Sequence, residues 1–155
     1  MNRIVLIAAA TIAGAQAVQA ADTSGAGALA LAGLVAEHAT GLSSVERQIM
    51  AKFLAGHSNV PAHAAFHVKA DSVSCRASDV AIVDHSCVLK FGATTRNLAG
   101  RKAHELYATL VENGVQGDGA AGSIYESVKN LDCTIAPNEV KQNGGGASCS
   151  YAPGP

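Results

Sequence analysis

Two segments in the first third of the chain space their apolar residues with the period of an α-helix. In residues 27–39 the larger aliphatic side chains fall on one helical face. The next segment opens with Ser43 and Glu46, the spacing of a capping box, and continues with a second apolar stripe. We therefore predict a helical hairpin in residues 21–60, followed by a short linker.

Farther along the chain the period changes to the alternation that is typical of β-strands. Residues 65–75 and 87–91 alternate apolar and polar positions. A two-residue turn at Gly92-Ala93 then leads into a return strand, because glycine supplies the positive φ that a tight hairpin needs. Residues 78–85 allow two interpretations, a short strand or a buried loop.

A third amphipathic helix is predicted over residues 101–113, with Gly114 at the position of a C-cap glycine. The signals that follow conflict, since Ser123 and Glu126 repeat the capping-box spacing whereas the next apolar residues alternate as in a strand. We predict a helical turn at Ser123 to Glu126. Two strands are expected after it, at residues 130–136 and 147–152.

Together these elements predict an α+β fold: an N-terminal helical hairpin, a small antiparallel sheet of about four to five strands with a helix packed on one face, and two disulfides. A chain of 155 residues has room for one small domain. Residues 21–60 and 61–155 are therefore parts of one structural unit. The short intervals between strands exclude the parallel crossovers of nucleotide-binding α/β folds.

Residues 1–20 have the three parts of a secretory signal peptide. A short basic start is followed by an apolar stretch and by Val18-Gln19-Ala20, a small-x-small ending. We expect cleavage after Ala20. The apolar stretch is too short and too interrupted for a transmembrane anchor, which needs roughly 18 clean apolar residues. The mature chain is thus predicted to be periplasmic or secreted, with no transmembrane anchor after cleavage.

Export changes how the cysteines are interpreted, because thiols in an oxidising compartment normally pair. The chain has 4 cysteines, and none lies in a CxxC motif of the kind used by zinc or redox sites. Of three possible connectivities we favour Cys75 with Cys87 and Cys133 with Cys149, since each pair brackets a short polar stretch between strand-like segments.

Composition excludes several classes of function. Charged residues make up 15% of the chain and the formal net charge is -1, so no basic surface for nucleic acid is expected. Aromatic residues make up 4%, with no Trp, which argues against stacking platforms for bases or sugars. No serine lies in a Gly-x-Ser-x-Gly elbow, and no cofactor motif is found.

The histidines raise the possibility of a metal site. His57, His63 and His67 are spaced H-x5-H-x3-H, and on a helix the last two would share a face and an ion. In a strand they would face the same side but lie roughly 13 Å apart, too far to chelate one metal together. Pro61 and the strand-forming residues after it favour the strand.

Tyr125 and Tyr151 lie near glycine-rich segments, where an exposed aromatic ring can anchor a partner protein. Partial burial under a small sheet is the alternative. From these patterns we expect a small exported non-catalytic envelope protein that acts as a protein-binding or inhibitory module, with another envelope or extracellular protein as its partner. The alternative expectation is a periplasmic zinc- or copper-binding protein that uses the histidine cluster.

Overall fold

The computed structural model describes residues 21–56, 64–78, 80–115, 118–120, 123–137 and 146–154. The predicted signal segment, residues 1–20, lies outside them. The helices are α1 (Ala26–Ala36), α2 (Ser44–Leu54) and α3 (Arg101–Glu112), with one 3-10 turn at Ile82–Asp84. The strands are β1 (Ala21–Ser24), β2 (Phe66–Ala77), β3 (Ser86–Phe91), β4 (Thr94–Ala99), β5 (Asp118–Ala120), β6 (Ser123–Ile135) and β7 (Ala147–Pro153).

Every strand pair in the described residues is antiparallel, and the strands form one sheet. Six strands follow the order β1-β7-β6-β2-β3-β4, and the short strand β5 pairs with β6 outside this order. The sheet is therefore wider than the four to five strands that the sequence predicts. The additional strands are β1, which pairs with β7, and β5.

The helix α1 lies at the centre of the helical layer. It contacts β2, β6 and β7 of the sheet as well as both other helices. Seven of its eleven residues are buried. The helix therefore packs on the sheet and on both neighbouring helices, whereas in an isolated hairpin it would pack on α2 alone. The helix α2 begins at the predicted capping box, with Ser43 Oγ accepting from the Glu46 amide at 3.2 Å. Arg47 of α2 donates to the carbonyl of Ala36, the last residue of α1, and to that of Ala39 beyond it.

One face of the sheet is buried under α1 and α3, and the other is polar. Along β2, Phe66, Val68 and Ala70 are buried while His67 and Lys69 between them are exposed. The largest fully buried side chains come from both layers and form one core, and they include Leu31, Leu89, Leu106, Leu110, Leu131 and Ile135. Burial of each such side chain stabilises the fold by about 2 kcal/mol.

Both predicted disulfides are present, Cys75–Cys87 and Cys133–Cys149, and each joins residues that are register partners on neighbouring strands. The sulfur of Cys87 lies 3.3 Å from the Ala103 carbonyl of α3. Both bridges therefore belong to the buried core between helices and sheet, where cysteine sulfur packs as an apolar group.

The helical turn predicted at Ser123 to Glu126 is wrong. These residues belong to β6, which pairs with β2 from Ile124 to Ile135. The capping-box spacing is a local signal, whereas the neighbouring strand β2 offers eleven paired positions. Pairing along the whole of β2 decides the conformation, since tertiary context overrides local propensity.

Candidate functional site

The two most exposed large apolar side chains of the described residues, Val80 and Val83, lie in the segment between β2 and β3, together with the half-exposed Ile82. Val80 is 85% exposed, Val83 76% and Ile82 50%. We call the described residues of the segment 78–85 the apolar loop. The sequence allowed a short strand or a buried loop here, and the structure shows neither, since these side chains face solvent around a single 3-10 turn.

The apolar loop is closed at its base by a covalent bridge. The disulfide between Cys75 and Cys87 joins the strands that enter and leave it. Inside the loop, the amide of Asp84 donates to the Ala81 carbonyl at 3.1 Å and that of His85 donates to the Ile82 carbonyl at 3.0 Å. The disulfide and these two hydrogen bonds thus support the turn without a hydrophobic core of its own.

A buried histidine forms a second closure. His85 is 5% exposed, and its Nε2 lies 3.0 Å from the carbonyl oxygen of Ser78, at the opposite end of the loop. The backbone carbonyl of His85 also accepts from the amide of Gly100, at the start of α3, at 3.0 Å. His85 therefore fastens the two ends of the loop to each other and to the helix.

Two side chains of α3 support this histidine. His104 Nδ1 lies 3.2 Å from His85 Nδ1, and the Tyr107 ring meets the His85 ring edge-on at a centroid distance of 5.8 Å. A carbonyl oxygen only accepts, so His85 Nε2 carries the hydrogen that binds Ser78. In neutral His85 the Nδ1 atom is then an acceptor, and His104 donates to it from Nδ1.

The arrangement presents a small aliphatic projection to solvent, closed by a disulfide and by hydrogen bonds. Contiguous exposed apolar side chains mark interaction surfaces in soluble proteins. A loop that is closed by a disulfide and internal hydrogen bonds loses less conformational entropy when a partner binds it than an open loop does, which favours affinity. The chemistry of the loop suits insertion into an apolar cleft of another protein.

The predicted histidine cluster is only partly placed. His57 and His63 lie outside the described residues, and His67 is on the polar face of β2. Its Nδ1 lies 2.6 Å from Asp132 Oδ1, and Lys69 Nζ lies 3.3 Å from Asp132 Oδ2. Burial alone would raise the pKa of the Asp132 carboxyl, but the hydrogen bonds and positive charges of His67 and Lys69 lower it overall. In the part of the chain that the structure describes, no group of three or more His, Cys, Asp or Glu residues is placed to hold a metal ion.

The two predicted tyrosines occupy different positions in the sheet. Tyr125 is in β6, opposite Arg76 of β2, and its side chain lies outside the described part of the structure. Tyr151 is in β7 and is 3% exposed, with its hydroxyl bonded to the carbonyl of Asn113. The expectation of an exposed Tyr151 ring is therefore corrected, because the ring belongs to the core and offers no surface to a partner.

Sequence reasoning assigned no function to the apolar loop. The usable signal was the run of Val80, Ala81, Ile82 and Val83 between two aspartates and two cysteines. Four apolar residues in succession fit a buried strand as well as an exposed loop. Only the direct pairing of β2 with β3, which leaves this run outside the sheet, distinguishes the exposed loop from the buried strand.

Within the described ranges, none of the helices has the length and apolar character that crossing a membrane requires. No protein-family model, no curated protein and no solved structure matches this chain.

Proposed function

We propose that the protein is a small exported binding module that inserts its apolar loop into a cleft of another envelope or extracellular protein. The observation that carries this proposal is the exposure of Val80, Ile82 and Val83 on a segment closed twice, by the Cys75–Cys87 bridge and by the His85 ring. Exposed aliphatic side chains are unfavourable in water, and a partner protein that covers them explains why a closed loop presents them to solvent. By filling such a cleft the loop inhibits whatever the cleft otherwise binds.

The periplasmic or secreted location is part of the same proposal. It is supported by the signal-like residues 1–20 and by the two disulfides, which persist in oxidising compartments. The mechanism needs no reacting group or cofactor. Affinity comes from apolar burial, at about 25 cal/mol for each Å² removed from water, and from the preorganised loop.

Photo-crosslinking from the loop tests this function. A photo-reactive side chain is placed at position 83 in one variant and at position 45 in a matched control, since Val45 is also an exposed aliphatic residue, at 51%, but lies on α2. In cells that produce the protein, position 83 is expected to give one discrete protein adduct. Excess unmodified chain should compete it away, whereas a V80D/V83D chain should not compete.

The V80D/V83D chain has to be folded for the competition to count. Both side chains face solvent, so we expect its free energy of unfolding to stay within about 0.5 kcal/mol of the parent for each substitution. Equal adducts from positions 83 and 45, or full competition by V80D/V83D, would show that the loop is not the binding surface. Y125A enters the same assay, and loss of the adduct there would extend the surface to β6.

A second candidate function, transition-metal binding, is favoured by one contact. A carboxylate only accepts, so His67 donates to Asp132 from Nδ1 and keeps the lone pair on Nε2 for a ligand. Histidines that bind metals commonly have a carboxylate placed in this way. The strand separation that would keep His63 and His67 apart applies only within β2, which begins at Phe66. We propose His57 and His63, which precede β2 in the chain, as the other ligands, and zinc or copper titration of the parent, H63A/H67A and D132N chains is the test. Equal metal affinity in all three would remove this candidate.

A further inference from the structure

A groove of about 430 Å³ runs between α1 and α3. Its volume is in the range of sites that hold small organic ligands. Ala30 and Leu34 of α1, Ala108 of α3 and Leu54 of α2 line it with aliphatic carbon. A ligand that fills the groove therefore needs an aliphatic body.

The polar side chains that line the groove are hydrogen-bond acceptors. Glu37, Glu105 and Glu112 supply carboxylates. Thr109 Oγ1 donates its hydrogen to the Glu105 carbonyl at 2.8 Å, which leaves only lone pairs for a ligand. Neutral His104 uses its Nδ1 hydrogen on His85, so its Nε2 is an acceptor as well. Among the described lining residues there is no lysine or arginine, and the ligand has to supply the donors and the positive charge.

The carboxylates are separated along the groove. Glu105 and Glu112 are seven residues apart on α3, which is two helical turns and about 10.5 Å on the same face. Ala108 lies between them. Glu37, at the Glu105 end, is paired with Lys102 at 3.5 Å, so it is partly neutralised. The charge to be matched therefore lies mainly at Glu105 and Glu112, at the two ends of an apolar channel.

We propose that this groove binds an aliphatic polyamine. One terminal ammonium group lies at Glu105 and the other at Glu112. Between them the methylene groups cover Ala108 and the aliphatic side chains beside it, and the central ammonium group donates to the acceptor Thr109 Oγ1. An extended triamine of the spermidine type has terminal ammonium groups at a comparable separation. A compact metal cation could bind one carboxylate, but it would leave the aliphatic side chains of the groove exposed to water.

Calorimetric titration at low ionic strength tests the proposal, with spermidine, butylamine and Mg²⁺ as probes. Spermidine is expected to bind at one site, at least tenfold more tightly than either other probe. E105Q and E112Q should each weaken it about threefold to fivefold, the range of an exposed ion pair. D84N, the same charge change on the apolar loop, is the matched control and should bind as the parent does.

Ala108→Leu distinguishes binding in the groove from binding to any acidic surface, because the larger side chain fills the groove and leaves every charge in place. We expect spermidine binding to be lost in this variant while the unfolding midpoint stays near that of the parent, as Ala108 is only half-buried. Equal affinity for spermidine and butylamine, unchanged binding in A108L, or a D84N effect equal to that of E112Q would overturn the proposal. Binding through the apolar loop does not depend on any of these outcomes.

Discussion

The hydroxyl of Tyr151 on β7 donates a hydrogen bond of 2.7 Å to the backbone carbonyl of Asn113, the residue that follows α3. Burial of the ring raises the pKa of the phenol, and the negative charge of Asp22 raises it further. The hydroxyl is therefore a stable donor at neutral pH. One side chain joins the end of the last helix to the sheet, and the ring that makes this bond fills the core beneath it.

Replacing Tyr151 separates the two contributions. Tyr151→Phe keeps the ring and leaves the Asn113 carbonyl without its donor, at an expected cost of about 1 kcal/mol in the free energy of unfolding. Tyr151→Ala also empties the ring site and should cost about 3 to 5 kcal/mol. Urea denaturation measures both. If the Phe variant is as unstable as the Ala variant, the hydrogen bond and not the packed ring holds β7 to α3.

Asn113 itself connects three elements through its side-chain amide. Its Nδ2 donates to the Thr109 carbonyl at 2.7 Å and to the Gly27 carbonyl at 3.3 Å, and its Oδ1 accepts from Thr23 Oγ1 at 2.7 Å. Asn113→Ala should lower the free energy of unfolding by about 2 kcal/mol, because several half-buried groups lose their partners. Asn97→Ala, on the exposed edge strand β4, is the control and should change it by less than about 0.5 kcal/mol. Equal effects of the two substitutions would contradict the connecting role of Asn113.

Loss of either disulfide should destabilise the protein to a similar extent but affect binding differently. The bridges close loops with sequence separations of 12 and 16, so each should contribute about 3 kcal/mol. C133A/C149A is therefore a stability-matched control for C75A/C87A. We expect only C75A/C87A to lose the adduct at position 83, under conditions where circular dichroism shows both chains folded. Loss of the adduct in both variants would show that binding follows global stability and not the closure of the loop.

Features that depend on neighbouring residues could be predicted from the sequence. The capping box at Ser43 is formed, the Gly92 turn has the positive φ of 56°, and Gly114 ends α3 with φ 82°. Each of these signals acts between residues that are at most a few positions apart in the chain, so the local sequence alone determines the conformation. The cysteine pairing was also predictable, since each pair lies on strands that a short connection brings side by side.

Features that depend on distant contacts could not be predicted in this way. The first half of β6 has helix-like spacing, and only pairing with β2 makes it a strand. The side chains of the apolar loop and of Tyr151 have opposite environments, exposed and buried, although both stand in short apolar segments beside loops. Burial is decided by what packs on a segment, and for Tyr151 that is the end of α3, which lies 38 residues away in the chain.

The ion-pair network on the open face of the sheet makes stability depend on acid pH. Burial alone would raise the pKa of Asp132, but the hydrogen bonds and charges of His67 and Lys69 outweigh it, so the folded pKa lies below the ordinary 3.8. The folded state then binds fewer protons than the unfolded state in this range, and stability rises with pH there. The contribution of Asp132 is complete above the unfolded pKa of about 3.8 and is lost as the pH falls through the folded pKa.

Asp132→Asn removes this contribution. The variant should have a lower urea midpoint than the parent at neutral pH, and the difference should shrink as the pH is lowered below about 4, where the parent carboxyl takes up its proton. Asp84→Asn, at an exposed position with no ion pair among the described residues, controls for the loss of one charge. A midpoint difference between parent and Asp132→Asn that is constant from neutral pH into this acid range would contradict the network. The difference has to shrink once the parent carboxyl is protonated, because the protonated acid, like the amide, carries no negative charge for His67 and Lys69.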